Sequence, residues 1–305
     1  MTNVFISIVN FNGNIDTSSC LKSLEDLKIK DFNLSVVVVD NGSKEVFKAT
    51  PEKYKNFKLH LLRSEENLGF SGGQNLGINL ALVNNADFVL ILNNDVYIDE
   101  NLITNLLETF EKQKGAGLVS PKIYFAKGHE YHKDRYKESD LGKVIWYAGG
   151  KMDWKNVLAS HIGVDEVDKG QFENLEKTDY ASGCCEMIKK EVFEKVGLFD
   201  EKYFLYYEDN DLSQRAKRKG FESYYQPKAI LWHINAGSAG GSGSKLQDYY
   251  ITRNRLLFGF KYAPIRAKVA LLKEGVRLIL SGRGSQKKGV LDFFLCKFGK
   301  GSFSV

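Results

Sequence analysis

Three carboxylates fall within four residues of the 305-residue chain, at Glu208, Asp209 and Asp211. They open residues 208–219, where an acidic first turn and a basic last turn are typical of a helix. Capping and the helix dipole account for one or two acids at such a start. Mutual repulsion among three acids, beside aromatic residues, would raise at least one pKa and make a competent general base. The segment therefore favours proton abstraction over pure capping.

A second group of polar residues suits a divalent metal. Asn93, Asn94 and Asp95 end an apolar run that reads as a buried strand. One carboxylate flanked by amides suits Mg²⁺ or Mn²⁺ shared with substrate phosphates, and a strand-end turn with a solvated Asp95 is the alternative. His233 ends another apolar run, directly after Trp232. A lone histidine there is more often packed than ligating, so this residue alone is weak evidence.

Further polar residues follow the strand-like runs near the N-terminus. Asp40 follows four valines and could accept hydrogen bonds from a base or a ribose, although Asp-Asn-Gly-Ser is also good turn chemistry. Residues 67–75 (NLGFSGGQN) resemble a glycine-rich phosphate loop that leads into a helix. They match neither G-x-x-x-x-G-K-[ST] nor G-x-G-x-x-G, so a P-loop and a dinucleotide fingerprint are both rejected.

These residues require a scaffold of alternating strands and helices. Apolar runs at 4–9, 34–39, 59–62 and 88–92 predict strands, and residues 15–27, 72–83 and 100–114 have helical spacing. Uninterrupted apolar strands separated by helices indicate an α/β fold with a mostly parallel sheet covered on both faces. Ligands of such sheets bind beyond the carboxyl ends of the strands, where Asn10, Asn12, Asp40 and residues 93–95 would gather.

Composition excludes several classes of protein. With 43% hydrophobic and 27% charged residues, the chain is neither disordered nor collagen-like. Four cysteines at irregular spacing favour a reduced, cytoplasmic setting, and we expect neither a signal peptide nor a membrane-spanning helix. From position 261 to the end there are ten Lys/Arg and two acidic residues, a local charge of +8, whereas the whole chain has a net charge of +5. The first 260 residues therefore sum to −3, which argues against a nucleic-acid binder.

The basic C-terminal region has the pattern of an amphipathic helix. Its apolar residues recur at spacings of four and three: Ile265, Val269, Leu272, Val276 and Ile279. The basic residues flanking them are Arg266, Lys268, Lys273 and Arg277. A helix of this kind lies on anionic lipid, or it packs on the body with a solvated basic side. The first reading is slightly favoured.

Six segments, taken in order, resemble the inverting glycosyltransferases of family 2, in their rhamnosyltransferase-like branch. The segments are IVNFNG, VVVVDNGS, ENLGFSGGQNLGI, LILNND, YASGCCEMIKKEVFEKVGLFDEKYFLYYEDNDLSQRAKRKG and WH, between residues 4 and 258. The resemblance implies a GT-A fold, a Rossmann-like sheet flanked by helices. It also implies a domain over 1–260, with a nucleotide-sugar half (1–125) and an acceptor-binding, catalytic half (126–260). Residues 261–305 would be a basic helical extension.

The resemblance also implies roles for individual residues. Asn10 and Asn12 would border the nucleotide pocket, Asp40 would contact the base, and Asn67, Gly73 and Asn75 would shape the sugar and diphosphate site. Asn93, Asn94 and Asp95 stand at the family's D-x-D position, with Asp95 and His233 as metal ligands. Asp209 would be the general base, supported by Glu208, and Arg253 with Asn254 would close over the diphosphate.

The implied activity is metal-dependent, inverting sugar transfer with Mg²⁺ or Mn²⁺. The donor would be a dTDP- or UDP-sugar, such as dTDP-rhamnose, and the acceptor a hydroxyl of a glycan or lipid-linked glycan in cell-surface polysaccharide synthesis. We expect a cytoplasmic protein with peripheral membrane contact through 261–305. Residues 237–244 (GSAGGSGS) would order over the donor. Because the metal motif has one carboxylate where many members have two, metal affinity should depend strongly on the donor.

Two alternatives stay open at this point. A sugar nucleotidyltransferase would share the fold, but it usually carries a basic, glycine-rich loop after the first strand, and IVNFNGN has no basic residue. An inactive glycan-binding or scaffold protein is the second alternative. The presence of Asp95, Glu208, Asp209 and His233 together argues against it.

Overall fold

Strands and helices alternate along most of the chain. The structure is a computed structural model that describes residues 1–234 and 243–303. Its strands are β1 (Thr2–Asn10), β2 (Phe32–Asn41), β3 (Lys58–Ser64), β4 (Phe88–Leu92), β5 (Val96–Ile98), β6 (Ala116–Phe125), β7 (Ile145–Tyr147), β8 (Gly150–Asp153), β9 (Leu158–His161), β10 (Glu176–Thr178), β11 (Cys185–Lys189) and β12 (Glu222–His233). Its α-helices are α1 (Asn14–Leu24), α2 (Gly69–Val83), α3 (Leu102–Lys112), α4 (Lys190–Val196), α5 (Glu208–Arg218), α6 (Lys245–Tyr262), α7 (Ile265–Ser281) and α8 (Gly284–Phe294).

The central sheet has the order β10-β12-β6-β11-β4-β1-β2-β3. The β3-β2-β1-β4 half is entirely parallel, as the apolar runs predict, and β6 and β12 are also parallel to each other. Strand β11 inserts antiparallel between β4 and β6. The prediction of an α/β fold with a mostly parallel sheet is therefore confirmed, and the antiparallel β11 is the feature that periodicity did not predict.

The four valines of β2 show why this half of the sheet is buried on both faces. Val36 and Val38 pack into the apolar cluster that contains α1, while Val37 and Val39 pack into the cluster that contains Ile78 of α2. Helix α2 lies very close to the sheet, because a Cβ added at Gly77 would lie 2.0 Å from the hydroxyl oxygen of Ser7. The glycine-rich sequence of α2 therefore serves close packing on the sheet.

The C-terminal helices pack on the body of the protein. Helix α6 continues through position 260, so the predicted domain boundary lies inside a helix. The predicted helix at 265–279 is present as α7, and it rests on the body through Ala267, Leu271 and Gly275. Most of the predicted apolar stripe therefore faces away from the body. Helix α8 packs against both α6 and α7.

Two further expectations concern a closing segment between β12 and α6 and the lack of a membrane-spanning helix. The predicted closing segment at 237–244 lies mainly outside the described residues, which omit 235–242. Among the helices that the structure does describe, none is long and apolar enough to cross a bilayer.

Candidate functional site

The polar residues predicted at the strand ends are joined by hydrogen bonds across three strands. The Asn10 side-chain amide donates to Asp40 Oδ1 (3.1 Å), and the Thr17 hydroxyl donates to Asn10 Oδ1 (2.9 Å). The Asn94 amide donates in turn to Thr17 Oγ1 (3.0 Å). The ends of β1, β2 and β4 thus converge at one edge of the sheet, as the predicted topology requires.

Asp40 is a buried, ionised carboxylate at this edge. Burial alone would raise its pKa, but hydrogen bonds from Ser43, the Phe47 N–H, Arg63 and Asn10 lower the pKa below the usual range. Arg63 contacts Asp40 Oδ2 directly. The ionised form can accept a further hydrogen bond from an incoming N–H or hydroxyl group.

Asn12 closes the loop after β1. Its backbone has a left-handed φ of 56°, its N–H donates to Ser43 Oγ (2.9 Å), and its Oδ1 accepts from the Lys44 N–H (2.9 Å). These contacts fix the loop against residues 43–44, beside the Asn10–Asp40 pair. In this position Asn12 shapes the edge of the site through the backbone.

The three residues predicted in the glycine-rich segment make scaffold contacts. Asn67 Oδ1 accepts from the Gly69 N–H (2.8 Å), which fixes the turn into α2. A Cβ added at Gly73 would lie 3.0 Å from Val9 and 3.1 Å from Asn41, so this glycine permits close packing. Asn75 exchanges two 3.0 Å hydrogen bonds with the backbone of Phe199. The structure therefore shows these residues anchoring α2, and their contact with a substrate stays a prediction.

Asp95 and His233, far apart in sequence, lie together because β5 pairs with the end of β12. The distance from Asp95 Oδ1 to His233 Nε2 is 3.2 Å, and both side chains are buried. Neighbouring ligands of an octahedral ion with bonds of about 2.1 Å lie about 3 Å apart, so the pair fits a divalent cation. The His233 ring packs edge-on against Trp146 (centroids 4.8 Å apart), which fixes its orientation.

Two protein ligands are few for a metal centre. Within residues 1–234 and 243–303, no group of three or more His, Cys, Asp and Glu side chains could hold an ion. The Asn94 amide is hydrogen-bonded to Thr17, and the Asn93 N–H donates to Cys184 O (2.9 Å). An ion held by Asp95 and His233 would therefore take most of its ligands from phosphate oxygens and water, in keeping with the expected dependence on donor.

Glu208 and Asp209 begin α5, where Glu208 is buried and Asp209 half-buried, and their environments differ. Asp209 Oδ2 accepts from the Gly183 N–H (3.0 Å), and Oδ1 accepts from the Asn210 N–H (2.7 Å) and amide (2.8 Å). Burial raises the pKa of Asp209, and these three hydrogen bonds limit the rise. Burial and the neighbouring Asp209 charge raise the pKa of Glu208 well above its usual range, and Glu208 Oε2 has no hydrogen-bond partner among the described residues.

This difference separates the two carboxyls chemically. A carboxylate with three N–H donors is stabilised in its ionised form, whereas an unpartnered buried carboxyl is stabilised as the neutral acid. The arrangement therefore favours the ionised form more at Asp209 than at Glu208, so that Asp209 is the better proton acceptor of the two. The third acid, Asp211, is fully buried in contact with Arg215, Lys261, Tyr203 and Tyr262, and it serves the packing of α5.

The segment that leads into α5 is strained. Phe204, Tyr206 and Tyr207 all have left-handed backbones, with φ of 64°, 70° and 73°. The Asn254 amide holds this segment by donating to the carbonyl oxygens of Tyr203, Leu205 and Tyr206, each at 2.8 Å. Strain of this kind persists only where surrounding contacts fix it, and here it fixes where α5 and its acids begin.

Arg253, predicted to close over the diphosphate, makes contacts inside the protein. Its side chain is fully buried, and its guanidinium donates to Gly299 O (2.7 Å), Tyr203 O (3.0 Å) and Lys202 O (3.1 Å). The group is also within 5.3 Å of the ring centres of Tyr249 and Tyr250. Through these contacts Arg253 stabilises the strained segment together with Asn254. Its contact with a diphosphate stays a prediction.

One short segment joins the start of α5 to the turn of residues 93–95. The Gly183 N–H contacts Asp209, and the carbonyl of the next residue, Cys184, accepts from the Asn93 N–H. Cys184 and Cys185 are buried in the core. The contact made by Gly183 has no signal in the sequence, since any residue carries a backbone N–H.

A further buried acid lies near this cluster. Glu186 of β11 is fully buried, with no hydrogen-bond partner for either oxygen in the described part of the chain. Burial and the charges of Asp209 and Glu208 raise its pKa well above the usual range. Its position inside an apolar strand gave no indication of a site.

Comparison with known proteins identifies relatives over most of the chain. The family model described as "Glycosyltransferase like family 2" matches residues 3–259. The low-salt glycan biosynthesis hexosyltransferase Agl10 of Haloferax volcanii is 30% identical over 241 residues, covering 77% of this chain and 72% of the relative. An N-acetylglucosaminyl-diphospho-decaprenol L-rhamnosyltransferase of Mycobacterium tuberculosis is 28% identical, covering 68% of each chain. The dTDP-rhamnosyl transferase RfbF of Shigella flexneri is 26% identical, covering 84% and 79%.

Solved structures share the fold at lower identity. GalNAc-T7 with UDP, GalNAc and Mn²⁺ superposes with a TM-score of 0.59 at 15% identity, over 89% of this chain and 54% of that one. Residues 1–349 of Staphylococcus aureus TarS in complex with UDP superpose with a TM-score of 0.58 at 16% identity, over 96% and 79%. At this identity the superpositions establish the GT-A fold alone.

Proposed function

Because the chain belongs to glycosyltransferase family 2, we propose that it transfers a sugar from a nucleotide-sugar donor to an acceptor hydroxyl with inversion at the anomeric carbon. Asp209 takes the proton from the attacking hydroxyl, and the nucleoside diphosphate leaves from the opposite face of the sugar. A single displacement of this kind inverts the configuration and needs no covalent enzyme intermediate.

The observation that carries the proposal is the segment at Gly183 and Cys184. It contacts Asp209 through one backbone group and the Asn93–Asp95 turn through the next. A proton acceptor and a site for a diphosphate-bound cation therefore flank the same stretch of backbone. This is the arrangement that an in-line displacement requires, with the nucleophile on one side of the sugar and the leaving group on the other.

Glu208 supports this chemistry as a neutral acid. Its raised pKa favours the protonated form, in which it can donate a hydrogen bond to an acceptor oxygen without competing with Asp209 for the proton. Keeping Glu208 neutral also removes a like charge next to Asp209. The pair therefore divides into one base and one group that positions the acceptor.

Asp95 and His233 would hold the Mg²⁺ or Mn²⁺ ion of the proposed reaction. Such an ion, when bound, offsets the negative charge that builds up on the departing diphosphate. Both side chains are fixed before binding, Asp95 at the start of β5 and His233 at the end of β12. The Mn²⁺ in the GalNAc-T7 structure supports a divalent ion.

The names of the relatives support a donor and acceptor class. One is a dTDP-rhamnosyl transferase, and another transfers L-rhamnose to a diphospho-decaprenol-linked sugar. We propose a dTDP- or UDP-sugar donor, with dTDP-rhamnose preferred, and a lipid-linked glycan acceptor in surface polysaccharide synthesis. A lipid-linked acceptor would bring the protein to the cytoplasmic face of a membrane.

The test combines donor binding with product analysis. The thermal stability of the protein is measured with dTDP-, UDP- and GDP-sugars, each with and without Mn²⁺. A ligand at about 100 times its Kd adds about 2.7 kcal/mol to the free energy of unfolding, which gives a clear shift. We expect a Mn²⁺-dependent shift with one nucleotide, followed by NMR of the product that shows an inverted anomeric centre. A retained configuration would refute the role of Asp209, and no shift with any donor would favour an inactive domain.

A further inference from the structure

The outward face of α7 is apolar and exposed. Its apolar residues, with their exposed fractions, are Ile265 (79%), Val269 (45%), Leu272 (37%), Val276 (55%) and Leu280 (75%). At 3.6 residues per turn these five positions fall within a sector of about 80°. The opposite side of the helix packs on the body through Ala267, Leu271 and Gly275. Helix α7 thus has two apolar faces, and one of them has no partner among the described residues.

Cations flank this exposed stripe on both sides. Lys268 lies on one side, and Arg266, Lys273 and Arg277 lie on the other. None of these four forms an ion pair with any residue that the structure describes. The one acid of the helix, Glu274, is already paired with Arg255 (2.9 Å). The stripe therefore lies in a strongly positive surface.

Helix α8 packs against α7 and carries exposed apolar residues of its own. It packs on α7 where a Cβ added at Gly275 would lie 3.5 Å from Val290 and 3.9 Å from Phe294. Phe294, Leu291 and Leu295 are exposed on α8, and Lys297 and Lys300 follow in an exposed turn. On the other side of α7, an open cleft of about 630 Å³ is lined by Lys273, Arg277, Arg255 and the exposed Leu158, among others.

We propose that this face of α7 and α8 docks on an anionic lipid surface. An apolar stripe between rows of Lys and Arg is the pattern of a helix that lies in the membrane interface. The apolar residues would enter the boundary of the acyl chains, while the long cationic side chains reach the phosphates. A second copy of this chain fits poorly, because it would bring another +8 region against the first. The charge of the face selects a negatively charged partner.

The body-facing side of α7 and the segment before the proposed catalytic acids share one apolar cluster. This cluster contains Leu271 of α7 and Tyr207, the residue directly before Glu208. The Tyr207 hydroxyl also donates to Val157 O (3.1 Å), next to the cleft-lining residues Asn156 and Leu158. Docking through α7 would therefore hold the lipid surface one helix away from the segment that leads into Glu208. Delivery of a lipid-linked acceptor by this route rests on the proposed function, whereas lipid binding itself does not.

The experiment is flotation of the full chain with vesicles. The vesicles contain phosphatidylcholine alone or with about 30 mol% phosphatidylglycerol, at about 0.1 M and about 0.5 M NaCl. The stripe variant carries Val269→Ser and Val276→Ser, and the cation variant carries Lys273→Gln and Arg277→Gln. All four residues are exposed, so we expect the fold to be kept. The matched controls are Ile15→Ser with Val83→Ser, and Lys55→Gln with Lys58→Gln, at exposed positions elsewhere.

We expect the wild-type chain to bind the anionic vesicles and to be released by high salt. Each test variant should lose at least tenfold in partitioning, while the controls stay within about twofold. Equal partitioning of the stripe variant and the wild type would overturn the proposal. So would light scattering that shows a dimer abolished by the stripe variant with vesicle binding unchanged.

The two proposals fail separately in this design. Vesicle binding by a chain that transfers no sugar would count against the proposed function alone. Transfer to a water-soluble acceptor by a chain that binds no vesicles would count against the docking proposal alone.

Discussion

Two aspartates two residues apart, Asp209 and Asp211, should have opposite effects when each is changed to Asn. Asp209 accepts hydrogen bonds from two backbone N–H groups and one side-chain amide. Asp209→Asn therefore keeps most of the packing and removes the proton acceptor. General-base contributions are about 10² to 10⁴ in rate. We therefore expect kcat to fall by that factor, with a melting temperature within about 2 °C of the wild type.

The expected cost of Asp211→Asn follows from its contacts. The carboxylate accepts from Arg215 Nε (2.6 Å), Lys261 Nζ (2.6 Å), Tyr262 Oη (2.7 Å) and Tyr203 Oη (3.2 Å). Breaking a buried ion pair from one side costs about 3–5 kcal/mol, and we reduce this to about 2–4 because Arg215 and Lys261 reach solvent. A 305-residue chain unfolds with an entropy of about 0.6 kcal/mol/K. The melting temperature should therefore fall by about 3–6 °C, with kcat within about threefold of the wild type.

The assay pairs differential scanning fluorimetry with initial rates of transfer, measured at least 15 °C below the lower melting temperature (roughly three times the larger expected shift). The reasoning is refuted if Asp211→Asn loses as much kcat as Asp209→Asn while its melting temperature is unchanged. It is also refuted if Asp209→Asn retains wild-type turnover. Equal losses of stability in both variants would show that the acids act as one structural cluster.

Four further predictions follow from the same geometry. Burial raises the pKa of Asp209, and a general base acts only when ionised. As the pH is lowered, kcat/KM should therefore begin to fall at a higher pH than it would with an ordinary aspartate, which a pH–rate profile measures. Burial raises the pKa of Asp211 in the folded protein, but Arg215 and Lys261 outweigh burial and lower it. The stability that the ionised Asp211 gives to the fold is therefore complete above the unfolded pKa near 4 and is lost as the pH falls through the folded pKa. The melting temperatures of wild type and Asp211→Asn should therefore converge in acid. Arg253→Met should lower the melting temperature by several degrees, because the buried carbonyl of Tyr203 and the part-buried carbonyls of Gly299 and Lys202 each lose a donor, at up to about 1–3 kcal/mol apiece, with donor KM nearly unchanged; a raised KM at unchanged stability would support the diphosphate role. His233→Ala should raise the Mn²⁺ concentration for half-maximal activity at least tenfold, and an unchanged metal titration would remove His233 from the site.

The sequence by itself determined the fold class and the location of the site. Four consecutive valines give a strand that is apolar on both faces, and such a strand is buried on both sides. The sequence therefore indicates that β2 is an inner strand of a helix-covered sheet. The carboxyl ends of parallel strands meet at one edge, so Asn10, Asp40 and Asn94 were bound to be neighbours. The prediction of a helix at residues 265–279 likewise follows from spacing alone.

Only the tertiary structure decided what individual residues do within that frame. Three acids within four residues look equivalent in the sequence, and the differences between their environments depend on which N–H groups, cations and apolar side chains surround each one. Arg253 could reach a diphosphate by its type and position, yet its donors face carbonyls inside the protein. The same holds for α7, whose two apolar faces are not distinguishable by periodicity. Pattern records the type and spacing of side chains, whereas pKa and exposure depend on partners that are distant in the chain and close only in the folded protein.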